Sequence, residues 1–280
     1  MRARLTLLAV LLPLSTAACT YDIAGVEVPP SHTYPGDDVT HPGEDMIYRQ
    51  LPSGSFMMGC NDGQGRPCDT DEKPYHSVVL SSYEIDRTET SQFAYALCVN
   101  ADVCTPPLAA SLDPIDRGNY PVVGVTWNQA RAFCQWAGRR LPTEAEWERA
   151  ARGQDGRTWP WGNQEPTCDR VNFGDCGRTL RHLSEVDSSG ASPDGVVDMA
   201  GNAMEWVADW YDDSAYDGAA GAVDPQGPQS GVVRVLRGGS FTSEARAVRT
   251  TYRGFAFPET SYEFVGFRCA RSIDTTPGTD

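Results

Sequence analysis

A chain of 280 residues with 38 acidic against 23 basic side chains carries a formal charge of −15, and no basic stripe interrupts it. That excludes nucleic acid as a partner, because phosphate binding needs clustered lysine and arginine. Nine cysteines in one chain favour an oxidising, exported setting.

The chain opens "MRARLTLLAVLLPLSTAACTYD", with two arginines, an apolar run from Leu5 to Leu14 and small residues before Cys19. This is the pattern of a secretory leader over residues 1–18, too short to span a bilayer. The order Thr16-Ala17-Ala18-Cys19 resembles a bacterial lipobox. Cys19 is therefore expected to become a lipidated first residue that anchors an exported protein to a membrane. Residues 19–45, rich in proline, glycine and acid, read as a solvated tether. Residues 46–272 then suffice for one sizeable core, expected as a monomeric domain, and residues 273–280 read as a flexible tail.

With Cys19 set aside the cysteine count is even, as disulfides require. Close spacing selects Cys60 with Cys68, Cys98 with Cys104, and Cys168 with Cys176, which leaves Cys134 with Cys269. The other use of cysteine, as metal thiolates, favours a C-x-x-C spacing that does not occur.

Along the domain, "TSQFAYALCVNA" predicts a helix after Thr90 with Phe93, Ala94 and Leu97 on its apolar side. "TWNQARAFCQWAGRR" predicts a second, capped by Thr126 with Gln129 closing a capping box and Gly138 ending it. "LPTEAEWERAARG" repeats this logic with Thr143, Glu146 and Gly153, and directs Trp147, Ala150 and Ala151 inward. Strand-like runs are short: "SVVLSSYEID", "VVRVLRGGSF" and "FVGFRCA".

The ordered motifs "GSFMMG", "YPVVGVTWNQARAFCQWAGRRLPTEAEWERAARG", "WPWGN", "DMAGNAMEWVADWY", "RVLRGGSF" and "GFRCA" closely resemble the sulfatase-modifying-factor domain of formylglycine-generating enzymes. The resemblance covers almost all of 46–272. It implies an irregular, loop-rich α+β fold, an elaborated relative of the C-type lectin fold. Members that make formylglycine oxidise a sulfatase cysteine with dioxygen on a copper ion held by two thiolates, ligands that suit copper(I). Carried over from the family's RGGS strand, those two positions are Ser243 and Val248 in this sequence, and neither side chain holds copper(I). Ser240 matches a serine of the family's catalytic pocket and is the best residue for an altered site. A carbon–sulfur bond-forming branch uses histidine-bound iron, and His76 and His182 alone do not supply it.

The resemblance implies calcium as the cofactor, rather than copper. "DMAGNAMEW" matches a family calcium segment in which Asp198 and Glu205 would give side-chain oxygens, Gly201 and Ala203 backbone oxygens. A second calcium site would begin at Asn172 and Phe173, but its distal aspartate falls near Arg178. Arg237, Arg246, Arg249 and Arg253 are expected to meet acids such as Asp209 and Asp212. Trp127, Trp147, Trp159, Trp161 and Trp206 are expected in the core. The reading is an exported, membrane-anchored module, non-catalytic in the copper sense, that binds a peptide, protein or glycan. The alternative is formylglycine generation, or a related oxidation, through a non-standard site.

Overall fold

The computed structural model describes residues 40–41, 44–64, 67–108, 112–176 and 183–273. The leader, Cys19, Arg178, His182 and the expected tail beyond residue 273 lie outside them.

Eleven strands and three α-helices follow one another among the described residues. They are β1 (Thr40–His41), β2 (Glu44–Leu51), β3 (Gly54–Met58), β4 (His76–Leu80), β5 (Tyr83–Asp86), α1 (Gln92–Asn100), α2 (Trp127–Trp136), α3 (Glu144–Arg152), β6 (Met204–Trp210), β7 (Ala222–Val223), β8 (Arg234–Arg237), β9 (Gly254–Ala256), β10 (Val265–Phe267) and β11 (Ala270–Ser272). They build three small sheets, ordered β1-β2-β5-β11, β10-β6-β8-β9 and β3-β4-β7. The α+β, loop-rich expectation holds. None of the described helices is long and apolar enough to cross a membrane.

The two later helices form for the local reasons in their sequences. Thr126 accepts from the Gln129 amide at 3.2 Å while the Gln129 side chain accepts from the Thr126 amide at 2.9 Å. Thr143 and Glu146 repeat the exchange at 3.2 and 2.8 Å. Each box satisfies two of the amides a helix start leaves bare. Gly138 and Gly153 follow with φ of +70° and +66°, positive values that suit glycine and turn the chain out of the helix.

Helix α1 corrects one expectation. Its cap is Ser91, which accepts from the Ala94 amide, and Phe93 and Leu97 are only half-buried. Ala94 is buried as expected, but the rest of the inward face is Tyr95, Cys98 and Val99. Tyr95 stacks on Phe133 of α2 at 5.6 Å, and Cys98 is bonded to Cys104, so two tertiary ties rotate the helix away from its sequence pattern. The strand runs are also shorter than written. "SVVLSSYEID" breaks where Ser81 turns its amide and hydroxyl to Asp224. The RGGS run ends at Arg237, and "FVGFRCA" divides between β10 and β11. Pairing begins at Thr40, inside the stretch read as tether.

All four expected disulfides are present: Cys60–Cys68, Cys98–Cys104, Cys134–Cys269 and Cys168–Cys176. Cys134–Cys269 ties α2 to the segment between β10 and β11, with both cysteines fully buried.

Candidate functional site

The segment after β8 turns sharply. Gly238 and Gly239 have φ of +89° and +66°, and a Cβ on Gly239 would sit 2.6 Å from the Ala247 oxygen, so only glycine fits. The turn delivers Ser240, fully buried, into a knot of hydroxyls. Its amide donates to Ser243 Oγ at 2.9 Å, and its Oγ lies 2.9 Å from Thr242 Oγ1 and 3.3 Å from Ser243 Oγ. Val248 is fully buried among Trp159, Val171, Phe173 and Ala200. A hydroxyl engaged in closing a turn and an aliphatic side chain in a core are not soft ligands. The residues present therefore do not fit copper(I) at these two positions.

Ion pairs hold this segment in place. Arg237, fully buried, reaches Glu144 at 2.9 Å and Glu148 at 2.7 Å, and also donates to the carbonyls of Thr250 and Thr251. Burial opposes its charge, but Glu148 and Glu144 outweigh it and raise its pKa above the ordinary value. Arg253 forks onto Glu144 at 2.8 and 3.0 Å, and Arg249 onto Glu72 at 3.0 and 2.7 Å. Arg246 meets Asp69 at the surface. The expectation of internal pairing holds, with different acids. Asp212 offers Arg253 only its backbone oxygen, and Asp209 accepts instead from the Glu144 amide at 2.7 Å. Helix α3 explains this, since it carries Glu144 and Glu148 on the face turned to β8. Removing one partner of such a pair leaves a bare buried charge and costs about 3–5 kcal/mol.

The acidic segment "DMAGNAMEW" lies against the same turn. Gly201 donates to the Gly238 oxygen at 2.9 Å. Asp198 accepts from the amides of Asp187 at 2.5 Å and Ser189 at 2.8 Å. Glu205 accepts from Trp147 Nε1 at 2.8 Å and from Arg268 at 2.8 and 2.7 Å. A third carboxylate, which sequence reasoning missed, stands beside them. Glu89 accepts from the Ala203 amide at 3.0 Å and from Asn202 Nδ2 at 3.2 Å. All three acids are buried, and Arg268 is the one guanidinium paired within the group among the described residues. Burial first, then Asp198 and Glu205, pushes the Glu89 carboxyl well above the usual range, and burial also raises Asp198. Three acids against one guanidinium is a charge balance that fits a divalent cation with oxygen ligands. The three carboxylates do not converge on one point. Among the described residues, the group of three acid, cysteine or histidine ligand atoms within 4.8 Å of one another is Cys60, Cys68 and Glu72, and its two sulfurs are joined in a disulfide. Any calcium here would draw on backbone oxygens as well.

At the second calcium candidate both backbone oxygens accept one amide each. The Asn172 oxygen accepts from the Asn202 amide at 2.8 Å, and the Phe173 oxygen from Cys176 at 3.1 Å. His76 is structural, with Nδ1 2.7 Å from the Pro74 oxygen and its ring against Tyr216. Trp127, Trp147, Trp159 and Trp206 are buried and Trp161 packs partly buried on Trp159, as expected.

Residues 33–273 match the sulfatase-modifying factor enzyme 1-like domain. The formylglycine-generating enzyme of Streptomyces coelicolor is 34% identical, over 82% of this chain and 90% of its own. The inactive Cα-formylglycine-generating enzyme 2 of Bos taurus is 30% identical, over 84% and 91%. Among solved structures, PvdO from Pseudomonas aeruginosa superposes with a TM-score of 0.72 at 26% identity, covering 86% of this chain and all of that one. The chain belongs to the sulfatase-modifying-factor family.

Proposed function

We propose that this chain is an exported, lipid-anchored family member that binds a peptide or glycan with calcium support and does not form formylglycine by the copper route. The observation that carries this reading is the pair Ser243 and Val248, a turn-closing hydroxyl and a core aliphatic where the family's copper chemistry needs thiolates. The eight cysteines of the described residues are all bonded, so none is left to stand in. The likeness to an inactive formylglycine-generating enzyme is consistent with it. Calcium, held by Asp198 and Glu205 with the Gly201 and Ala203 oxygens, would offset the buried acids beside the RGGS turn and stiffen its support. The lipid on Cys19 would place the domain on the outer side of a membrane; Cys19→Ser should release it to the soluble fraction.

A second reading, formylglycine generation through a non-standard site, draws on the 34% identity to a formylglycine-generating enzyme. One experiment separates the two. The soluble chain, Thr20–Asp280, is titrated with copper(I) and incubated with dioxygen and a cysteine-containing sulfatase peptide under mass spectrometry. Absence of tight binding and of aldehyde supports the binding module; conversion of the peptide's cysteine to the aldehyde overturns it.

A further inference from the structure

The arginines around the RGGS turn are matched by carboxylates, but two others close by are not. Arg234 opens β8, opposite Ala256 of β9 and Trp210 of β6. Its guanidinium carbon lies 3.8 Å from the Trp127 ring centroid and 3.4 Å from that of Trp210, between two indoles. Arg131, exposed on α2, lies over the same Trp127 ring at 5.3 Å. Neither meets a carboxylate among the described residues. Arg234 makes one hydrogen bond, from Nη1 to the Ala208 oxygen at 2.6 Å, and its Nε is buried without a partner. Arg237, three residues along the same chain, satisfies two carboxylates and two carbonyls.

The nearby acid compensates only in part. Asp209 is buried and occupied by the Glu144 amide, and its carboxyl is pushed up to about 8 by burial and then by Glu144. At neutral pH it is largely protonated. Burial lowers Arg234 to about 10, with the Asp209 carboxylate pulling the other way and the like charge of Arg131 adding to the fall. A half-buried cation with spare donors gains from an incoming carboxylate what Arg237 and Arg253 gain from Glu144.

We infer that Arg234, with Arg131 beside it, receives the carboxylate of an acidic side chain on a peptide whose neighbouring side chains are apolar. This rests on the binding-module reading and gives it a ligand class and a place. Charge complementarity names the acid. Exposed apolar surface names its neighbours: Val232, two residues before Arg234, is 70% exposed, and Phe257, which follows Ala256, is 57% exposed. The Pro258 oxygen accepts from the Trp127 amide, which draws the Phe257 segment to the same indole. A sugar ring is the weaker fit, because stacking needs a free indole face. Trp127 is buried beneath its arginines, and Gly231 lies so close to Trp210 that an added Cβ would stand 2.9 Å from the Trp210 Cβ.

Calorimetric titration of the full chain with a six-residue peptide alternating leucine and glutamate, against its leucine and glutamine counterpart, tests this. The glutamate peptide should bind at least about tenfold more tightly, and Arg234→Gln should remove about tenfold in affinity. Arg131→Gln should weaken binding in the same direction, and it keeps the test open if Arg234→Gln does not fold, because Arg131 is exposed. Equal binding of the two peptides, no binding of either, binding unchanged by Arg131→Gln, or binding only of an oligogalacturonate would each overturn the inference. None of these outcomes touches copper or turnover. The binding-module reading falls only on aldehyde formation, so the two failures stay distinct.

Discussion

The Ser240 amide donates to the Ser243 hydroxyl at 2.9 Å, so the first of the two residues expected at the copper positions closes the turn that follows β8. The second, Val248, is packed with Trp159 and Phe173. The glycine turn is present, but the side chains at the two expected positions offer no thiolate. Grafting thiols should therefore restore a metal site: Ser243→Cys with Val248→Cys is expected to bind copper(I) tightly where the parent chain does not. Competition against a copper(I) chelator reads the difference. Equal, weak binding by both chains would mean that the backbone here no longer has the family's shape.

Asp209 provides a pH prediction. It is buried, its carboxyl is pushed up to about 8, and the groups that face it are Glu144, Glu146 and Arg253. Because the folded pKa lies above the unfolded one near 3.8, the folded state holds a proton that the unfolded chain has lost between those values. Stability from this residue is thus full below about pH 4 and is lost as pH rises toward 8. Asp209→Asn keeps an acceptor for the Glu144 amide and removes the titration. Urea unfolding at pH 5 and pH 8 should show the parent losing more stability over that interval than the variant. The expected excess is on the order of 3 kcal/mol, below the full about 1.4 kcal/mol per pKa unit because Glu144 shares the shift.

What was legible in the sequence was local. The Thr126–Gln129 and Thr143–Glu146 boxes were readable because both partners lie three residues apart and answer to one turn of helix. The disulfides were readable because three pairs close loops of six or eight residues, which leaves a single remaining pair. The face of α1 was not, because Tyr95 and Cys98 are turned inward by Phe133 and Cys104 rather than by their own spacing. Glu89 was hidden for the same reason. It lies 114 residues from the Ala203 amide that it accepts, and nothing in "RTETSQ" marks it as the third acid of a buried group. The stacking of Arg234 between Trp127 and Trp210 likewise depends on β8 pairing with β6 in one register.

Glu89 sharpens the calcium reading. If a divalent cation offsets Asp198, Glu205 and Glu89, removing one charge should act in opposite directions with and without the ion. Glu89→Gln is expected to raise the melting temperature in chelator, where three buried acids face one guanidinium, and to shrink the gain on adding calcium. Differential scanning calorimetry in chelator and in millimolar calcium measures both. A calcium gain equal to that of the parent would place the ion, if one binds, away from this group.

Cys134–Cys269 closes a loop of 135 residues and joins α2 to the β10–β11 segment, whereas Cys60–Cys68 closes one of eight. In the chain-entropy account the long bridge constrains the unfolded chain by about 5 kcal/mol and the short one by about 2.5 kcal/mol. Paired replacement of each cysteine by alanine should therefore separate them. Loss of Cys134–Cys269 is expected to cost more, and beyond the entropy it leaves small cavities beside Phe133 and Phe267, which meet edge to face at 5.4 Å in the same core. Loss of Cys60–Cys68, whose residues are partly exposed beside Arg249 and Glu72, should leave the core packing unchanged. Denaturant midpoints of the two double variants give the comparison. If the short bridge proved the costlier, the stability of the fold would reside in the Arg249–Glu72 region next to the RGGS turn rather than in the aromatic core.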